Sequence, residues 1–413
     1  MPRRTVSRDS AICTEGQSPM PRWPSQDSFI GDRIRQRRQL RGWSIRFAAS
    51  RAGLNPSTWS RIERGLTSAD NRFVLAEIAT ALECSVADLA GVPAASSDRQ
   101  VAAAIAGIGP VREALIDVDL DEDATCAPKS LPEMEQAAAV EAELRLRCDY
   151  AGALGMLPGL LRTLHASTHG PDREAALALL VRVAHDAFIC LGSVGYVAEG
   201  WLAARLCHQA AEALADPTLR GFASYTLSRS AVSNGSYTRA LRLADRAADD
   251  LESQASAPGA LETLGMLRLA SGYATRALRA DAEGHLAEAT ALAQRTGETE
   301  TNGLFFGPTN VKIWRVSMDV DGGDPERAVS IARATDPLII PAVCRRSLFY
   351  IDLGRGLSHL GRAREAARML LVGERMAPQR VRASRFVAET VRSLTDKAVG
   401  PELQGLAERV GVA

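Results

Sequence analysis

The strongest constraint on the fold of this chain is a six-residue pattern that occurs five times in its second part. The copies are Cys148-Asp-Tyr-Ala-Gly-Ala153, Gly235-Ser-Tyr-Thr-Arg-Ala240, Gly284-His-Leu-Ala-Glu-Ala289, Gly323-Asp-Pro-Glu-Arg-Ala328 and Gly361-Arg-Ala-Arg-Glu-Ala366. Each stands between two stretches whose apolar residues recur at helical spacing, so each reads as the turn of a helical hairpin. Such a hairpin cannot bury its apolar face alone, and a row of them must stack into a continuous core. The last three copies start 39 and 38 residues apart. Residues 133–413 are therefore expected to form a helical repeat body. An aromatic content of 5% suits Ala- and Leu-rich helices better than sheets.

The first part of the chain is organised differently. Residues 1–28 are rich in Pro, Ser, Arg and Gln without an apolar period and are expected to be a disordered leader, with Met1 or Met20 as the true start. Residues 29–91 divide into five short helices. The first runs from Ile30 to Arg41 and stops at Gly42. The second is capped by Ser44, places Ile45, Ala48, Ala49 and Ala52 on one face, and ends at Gly53. Asn55 and Pro56 read as the N-cap and first-turn proline of a third helix reaching Arg64. A four-residue link, Gly53 to Pro56, thus joins two short helices in helix-turn-helix geometry. The fourth spans Arg72 to Leu82 behind Asn71, and the fifth Ser85 to Leu89. Residues 92–132 hold a linker (Val92 to Asp98), a helical stretch around Val101 to Leu115, and an acidic loop.

Charge is uneven although the whole chain is neutral. Residues 1–95 carry 14 Arg against 9 Asp plus Glu, and the stretch 33–64 has nine Arg against Glu63 alone. A phosphate backbone is one natural partner for such a patch, and a solvated basic face is the other reading.

The segments IGDRIRQRRQLRGWS, FAASRAGLNPSTWSRIERG and LAEIATALECSVADLAG resemble the xenobiotic-response-element family, the helix-turn-helix type of phage repressor and Cro. The resemblance covers about sixty residues and implies a five-helix, lambda-repressor-like DNA-binding domain. It departs from the family pattern at Ile45, where many members place a base-contacting Gln, and at Arg37, a usual leucine. Trp59 is expected in the core. In this class the second helix of the motif lies in the major groove. The resemblance accordingly implies Asn55, Ser57, Thr58 and Arg61 as base readers, with Arg61 able to bond guanine twice. Arg38, Arg41, Arg46 and Arg64 are candidate phosphate clamps, one or two of them expected to be ordinary surface arginines.

The segment RSLFYIDLGRGLSHLGRAREAARMLLVGERMAP resembles a tetratricopeptide repeat at Tyr350, Leu353, Gly354, Leu357, Gly361, Ala366, Leu370, Gly373 and Pro378. The whole layout resembles actinobacterial regulators that join such a head to a tetratricopeptide-like body, and the presence of only Lys129, Lys312 and Lys397 as lysines is consistent with a GC-rich genome. The implied fold class is all-α, a DNA-binding head followed by an α-solenoid. The implied partners are double-stranded DNA, a second copy in a homodimer, and a peptide or small-molecule effector. Carrying the best repeat's register to the others places Phe222, Tyr225, Arg229, Asn310, Ile313 and Arg355 on the lining of the concave surface, where two arginines could hold a carboxylate. The body then either senses such a ligand or serves only as a dimerising or partner-binding scaffold.

Other chemistries lack their residues. No lysine follows a glycine as a phosphate-binding loop requires, and G-x-S-x-G, H-E-x-x-H and a full G-x-G-x-x-G are missing. Seven scattered cysteines never form C-x-x-C, and His165 with His169 has no third ligand nearby in sequence. No enzyme activity, cofactor or metal is expected. No run approaches the roughly 18 uninterrupted apolar residues of a membrane span, so no membrane association and a cytoplasmic location are expected.

Overall fold

Polar caps set ahead of apolar runs start the helices close to where the sequence predicts them. The computed structural model describes residues 29–91, 98–124, 126–254, 257, 259–395 and 400–412. The expected leader, Cys13 and most of the expected linker lie outside these. The head comprises α1 (Ile30–Leu40), α2 (Ile45–Arg51), α3 (Pro56–Glu63), α4 (Arg72–Ala81) and α5 (Val86–Ala90). Ser44 caps α2 by accepting from the Phe47 amide (3.2 Å), Asn55 caps α3 through Ser57 (2.9 Å), and Asn71 caps α4 through Val74 (3.0 Å). Gly53, at φ +64°, supplies the left-handed residue that turns α2 into α3. Ile30, Ile34, Ala49, Trp59, Leu75 and Leu82 are buried at the centre of the head.

The body is built from α6 (Arg99–Ala106), α7 (Ile108–Asp117), α8 (Leu131–Leu146), α9 (Tyr150–Ser167), α10 (Arg173–Ser193), α11 (Val197–Glu212), α12 (Pro217–Ser233), α13 (Tyr237–Glu252), α14 (Ala260–Ala277), α15 (Glu283–Thr296), α16 (Pro308–Asp321), α17 (Pro325–Arg333), α18 (Val343–His359), α19 (Ala363–Met376), α20 (Pro378–Ala383), α21 (Arg385–Thr395) and α22 (Pro401–Arg409). The chain is thus all-α, a helix-turn-helix head followed by a helical-repeat body. Residues 98–118 do not behave as a tether: α6 and α7 bury Val101, Ala104, Ile108 and Val111 in the core they share with α9.

Among the described residues six helical hairpins stack from α8 to α19, one more than the pattern predicts. Their turns are marked by left-handed residues at Cys148, Gly195, Gly235, Arg279, Gly323 and Gly361, spaced 38 to 47 residues apart. The additional hairpin, α10–α11, has Gly200 in place of the patterned alanine, where a Cβ would sit 3.4 Å from the Phe188 ring. Gly284 is not a turn residue but lies in the first turn of α15. Between α15 and α16 the chain inserts a hairpin, β1 (Thr299–Thr301) against β2 (Leu304–Phe306), reversed at Asn302–Gly303 with φ of +53° and +75°. By length and composition α10 could cross a membrane, yet 67% of that window is buried within the body.

The head is bolted to the body through a buried charge network. Arg355 of α18 donates to Asp321 (2.6 Å), to Asp352 (2.8 Å) and to the Asp70 carbonyl (2.5 Å). The Asp70 carboxylate accepts from Thr390 Oγ1 (2.7 Å) and pairs with His359 Nε2 (2.9 Å). Arg72 of α4 returns the contact, donating its guanidinium to Asp321 (2.9 Å) and its amide to the same carboxylate (3.2 Å). Glu389 of α21 accepts from the Ile30 amide (2.9 Å), and Phe73 packs edge-on against Tyr237 and Tyr273. Arg355 was expected on a ligand-lining surface. It lies instead in this network, fully buried.

Removing one member of a buried ion group leaves its partners charged without compensation, at about 3–5 kcal/mol. Arg355→Met is expected to lower unfolding stability by that order, measured by urea denaturation. Burial pushes the Asp70 carboxyl upward, but the His359 hydrogen bond and charge, the Arg355 charge and Thr390 outweigh it and hold the group below its ordinary range. A lowered folded value stabilises above the unfolded carboxylate pKa of roughly 3.9 and loses that contribution as pH falls through the range beneath it. The melting temperature of the parent should accordingly drop more steeply below about pH 4 than that of Asp70→Asn.

Candidate nucleic-acid interface and internal cavity

α3 and the start of α2 present exposed polar side chains, while the Gly65 carbonyl that closes α3 accepts from Arg392 of the body (3.2 Å). Ser57, Arg61 and Arg64, at helical positions i, i+4 and i+7 of α3, are exposed, while Trp59 and Ile62 on the opposite side are buried. Asn55 is exposed and Thr58 half-buried. Asn55 Oδ1 is occupied as the helix cap and also accepts from Ser57 Oγ (2.9 Å), so its amide nitrogen is the group available for a partner. Arg61 is steadied by Thr67 Oγ1 (3.1 Å), an uncharged tether that leaves its charge uncompensated.

The four expected phosphate clamps divide. Arg46 and Arg64 are exposed and form no ion pair among the described residues; the Arg64 side chain meets only the Ser60 carbonyl of its own helix (3.2 Å). Arg38 is a structural residue. It grips Glu63 with two bonds (2.6 and 2.8 Å) and the Trp43 carbonyl with a third (2.7 Å), and Trp59 Nε1 donates to the same Glu63 (2.5 Å). The hydrogen bond to Glu63 raises the Arg38 guanidinium further above its ordinary value despite partial burial. Arg41 is drawn sideways to Glu83 (3.7 Å), stacked over Trp43. Arg35, which the sequence did not single out, is exposed with no ion pair among the described residues.

Between head and body lies a cavity of about 320 Å3, walled by the inner face of the helical stack, the β1–β2 hairpin and α5 of the head. Tyr225, Arg229 and Ile313, expected on the concave lining, are part of this wall. Phe222 and Asn310 are not. Phe222 is buried against His185, and Asn310 is buried with its amide on the Phe305 carbonyl. Phe222 is turned into the packing between α12 and α10, and Asn310 is held by the β2 backbone, so neither reaches the cavity. Burial, followed by the charges of Arg145 and Arg345, pushes the His185 ring well below its ordinary value, and its Nδ1 is hydrogen-bonded to Thr226 Oγ1 (2.8 Å). Among the described residues no cluster of three potential metal ligands forms, and the His165 and His169 rings simply meet edge to face at 5.5 Å.

A family model described as a helix-turn-helix domain matches residues 30–91. No curated protein matches the chain significantly. Among solved structures the chain is similar to Bacillus thuringiensis PlcR, determined in complex with the peptide PapR7 and DNA. That match has 18% identity and a TM-score of 0.30, covering 64% of this chain and 94% of that one. It is also similar to BtubC (BKLC) from P. vanneervenii, at 18% identity and a TM-score of 0.33 over 60% of this chain and 92% of that one. At such distances neither likeness bears on function.

The Arg38 geometry gives a clear expectation. Arg38→Met should strand the Glu63 carboxylate beside Trp59 and destabilise the chain by about 3 kcal/mol, read as a lowered melting temperature, whereas Arg46→Met and Arg64→Met should stay within about 0.5 kcal/mol of the parent.

Proposed function

We propose that the chain is a sequence-specific DNA-binding transcriptional regulator and not an enzyme, with a helical body that joins two copies and receives a peptide or small-molecule signal. The observation that carries the reading is the exposed row of Ser57 and Arg61 on α3 and Arg64 at its C-cap, opposite the buried Trp59 and Ile62. A helix presented in this way can enter the major groove, with Arg61 bonding two acceptors of guanine and the exposed arginines holding phosphates. One head spans a half-site, so specific binding calls for a dimer whose two α3 helices lie about 34 Å apart. A cavity lined by polar and aromatic side chains favours a receptor over a plain scaffold.

Against an operator selected from random duplexes, the Arg61→Ala, Ser57→Ala double variant should bind about 10- to 100-fold more weakly and less selectively. Unchanged affinity and selectivity in the folded variant would sink the assignment. Salt supplies a second check. Three free arginines per head for phosphate, Arg35, Arg46 and Arg64, predict a slope of log K against log salt near −3 per head, where all nine of residues 33–64 would give roughly −8. Light scattering should return twice the mass of the chain at micromolar concentration, and a monomer both with and without DNA would defeat the dimer.

A further inference from the structure

The wall of the internal cavity is chemically one-sided. Six arginines line it (Arg72, Arg145, Arg229, Arg345, Arg380 and Arg385), and no aspartate or glutamate does. Two of the six are balanced by carboxylates behind the wall: Arg72 by Asp321 at 2.9 Å and Arg145 by Asp186 at 2.6 Å. Arg380 meets the hydroxyls of Tyr150 (3.1 Å) and Ser193 (3.3 Å), neither of which compensates its charge. Arg229 and Arg345 form no ion pair among the described residues, and they flank one ring, with guanidinium carbons 4.6 and 5.8 Å from the centre of Trp314. Arg229 Nη1 and Trp314 Nε1 are buried donors with no hydrogen-bond partner. Burial lowers the Arg229 guanidinium from its ordinary value, and the charges of Arg345 and Arg72 add to that effect against the opposing influence of Tyr225 and Tyr273.

Buried donors left unpaired beside uncompensated guanidinium charge are costly unless an anion meets them. Beside this group the wall is apolar and partly aromatic, formed by Ile313, Phe305 and Trp314. A volume near 320 Å3 falls at the small end of ligand pockets, which suits a compact molecule better than an extended peptide. Val86, Ala87, Ala90 and Gly91 of the head complete the enclosure.

We infer that this cavity receives a small organic anion, a carboxylate or phosphate monoester on a flat apolar body, held by Arg229 and Arg345 against Trp314, and that its binding fastens the DNA-binding head because α5 is part of the wall. The inference rests on the regulator reading and specifies its signal. The anionic group takes the orphaned donors in charge-assisted bonds, and the flat part stacks among the aromatic side chains. Because α5 and the repeat helices contact the same ligand, occupancy stabilises the docked head by differential binding.

The test uses the full chain with benzoate, 2-naphthoate and phenyl phosphate, each against its neutral counterpart: benzamide, 2-naphthamide and phenol. Thermal shift and tryptophan fluorescence read binding, and hydrogen exchange of the α5 amides reads docking. The acids should bind at least tenfold more tightly than the neutral forms and slow exchange in α5. An Arg229→Met, Arg345→Met variant should lose that preference while remaining, without ligand, at least as stable as the parent, since it removes two unpaired cations. Absence of any preference for the acids, an unaltered response in the variant, or a variant destabilised on its own overturns the receptor site. Acid binding with unchanged α5 exchange overturns the fastening of the head. Ser57 and Arg61 lie outside the cavity, so loss of the acid response with selective DNA binding intact refutes this inference alone, whereas the reverse outcome refutes the DNA reading alone.

Discussion

The contact between Asp70 and Arg355 fixes where everything else in the molecule sits. Apolar packing of Phe73 against Tyr237 and Tyr273 draws the head onto the body, yet dispersion and burial are non-directional and would tolerate several orientations. A guanidinium enclosed by Asp321, Asp352 and the Asp70 carbonyl admits only one. The network joins α4, α16, α18 and α21, segments separated by as many as 320 residues in sequence. Its value lies in geometry more than in energy, because well-packed apolar residues could stabilise the junction equally well without specifying an orientation.

That junction also brings the cavity and the head into one structural unit. Arg72 belongs to both: its guanidinium bonds Asp321 in the network and lines the cavity. Tyr273 does the same, donating to Asp321 (3.0 Å) while its ring lies 5.4 Å from the Arg229 guanidinium. A group held at Arg229 therefore acts two side chains away from the carboxylate that seats the head. Close packing makes such a contact chain stiff, so a change at one end is felt at the other.

Local signals made much of the fold legible, and the limits of that reading are equally local. Ser44, Asn55, Asn71 and Ser85 cap the head helices by bonds to residues two or three positions on, which is why the helix starts could be read directly. Left-handed turn residues mark the repeats, but in the α14–α15 hairpin the turn falls on Arg279, which carries no glycine signature, and the eye is drawn to Gly284 instead. The β1–β2 hairpin is announced by Asn302–Gly303, yet its strands of three residues are too short to show alternation. Arg355, Asp321, Asp352 and His359 could not be assembled from sequence at all, since each finds its partner across the fold. The same holds for Arg345, Arg380 and Trp314 in the cavity. Of the six residues placed by concave-surface register, Tyr225, Arg229 and Ile313 line the cavity, whereas Phe222, Asn310 and Arg355 are held in contacts across the fold.

The fate of the basic patch shows why composition overstates a nucleic-acid interface. Nine arginines between 33 and 64 meet one carboxylate within that stretch, but folding recruits others from outside it. Asp88 takes Arg37, Glu83 takes Arg41 and Arg51, Glu63 takes Arg38, and Arg33 is buried. Left exposed and without an ion pair among the described residues are Arg35 of α1, Arg46 of α2, Arg61 of α3 and Arg64 at its end. The division has a structural reason: Arg38, turned inward, holds α3 against α1 through Glu63, while the outward arginines leave the helix unconstrained. A head with all nine guanidinium groups exposed would carry more charge, but its α3 would lack the Arg38–Glu63–Trp59 lock that keeps it in place.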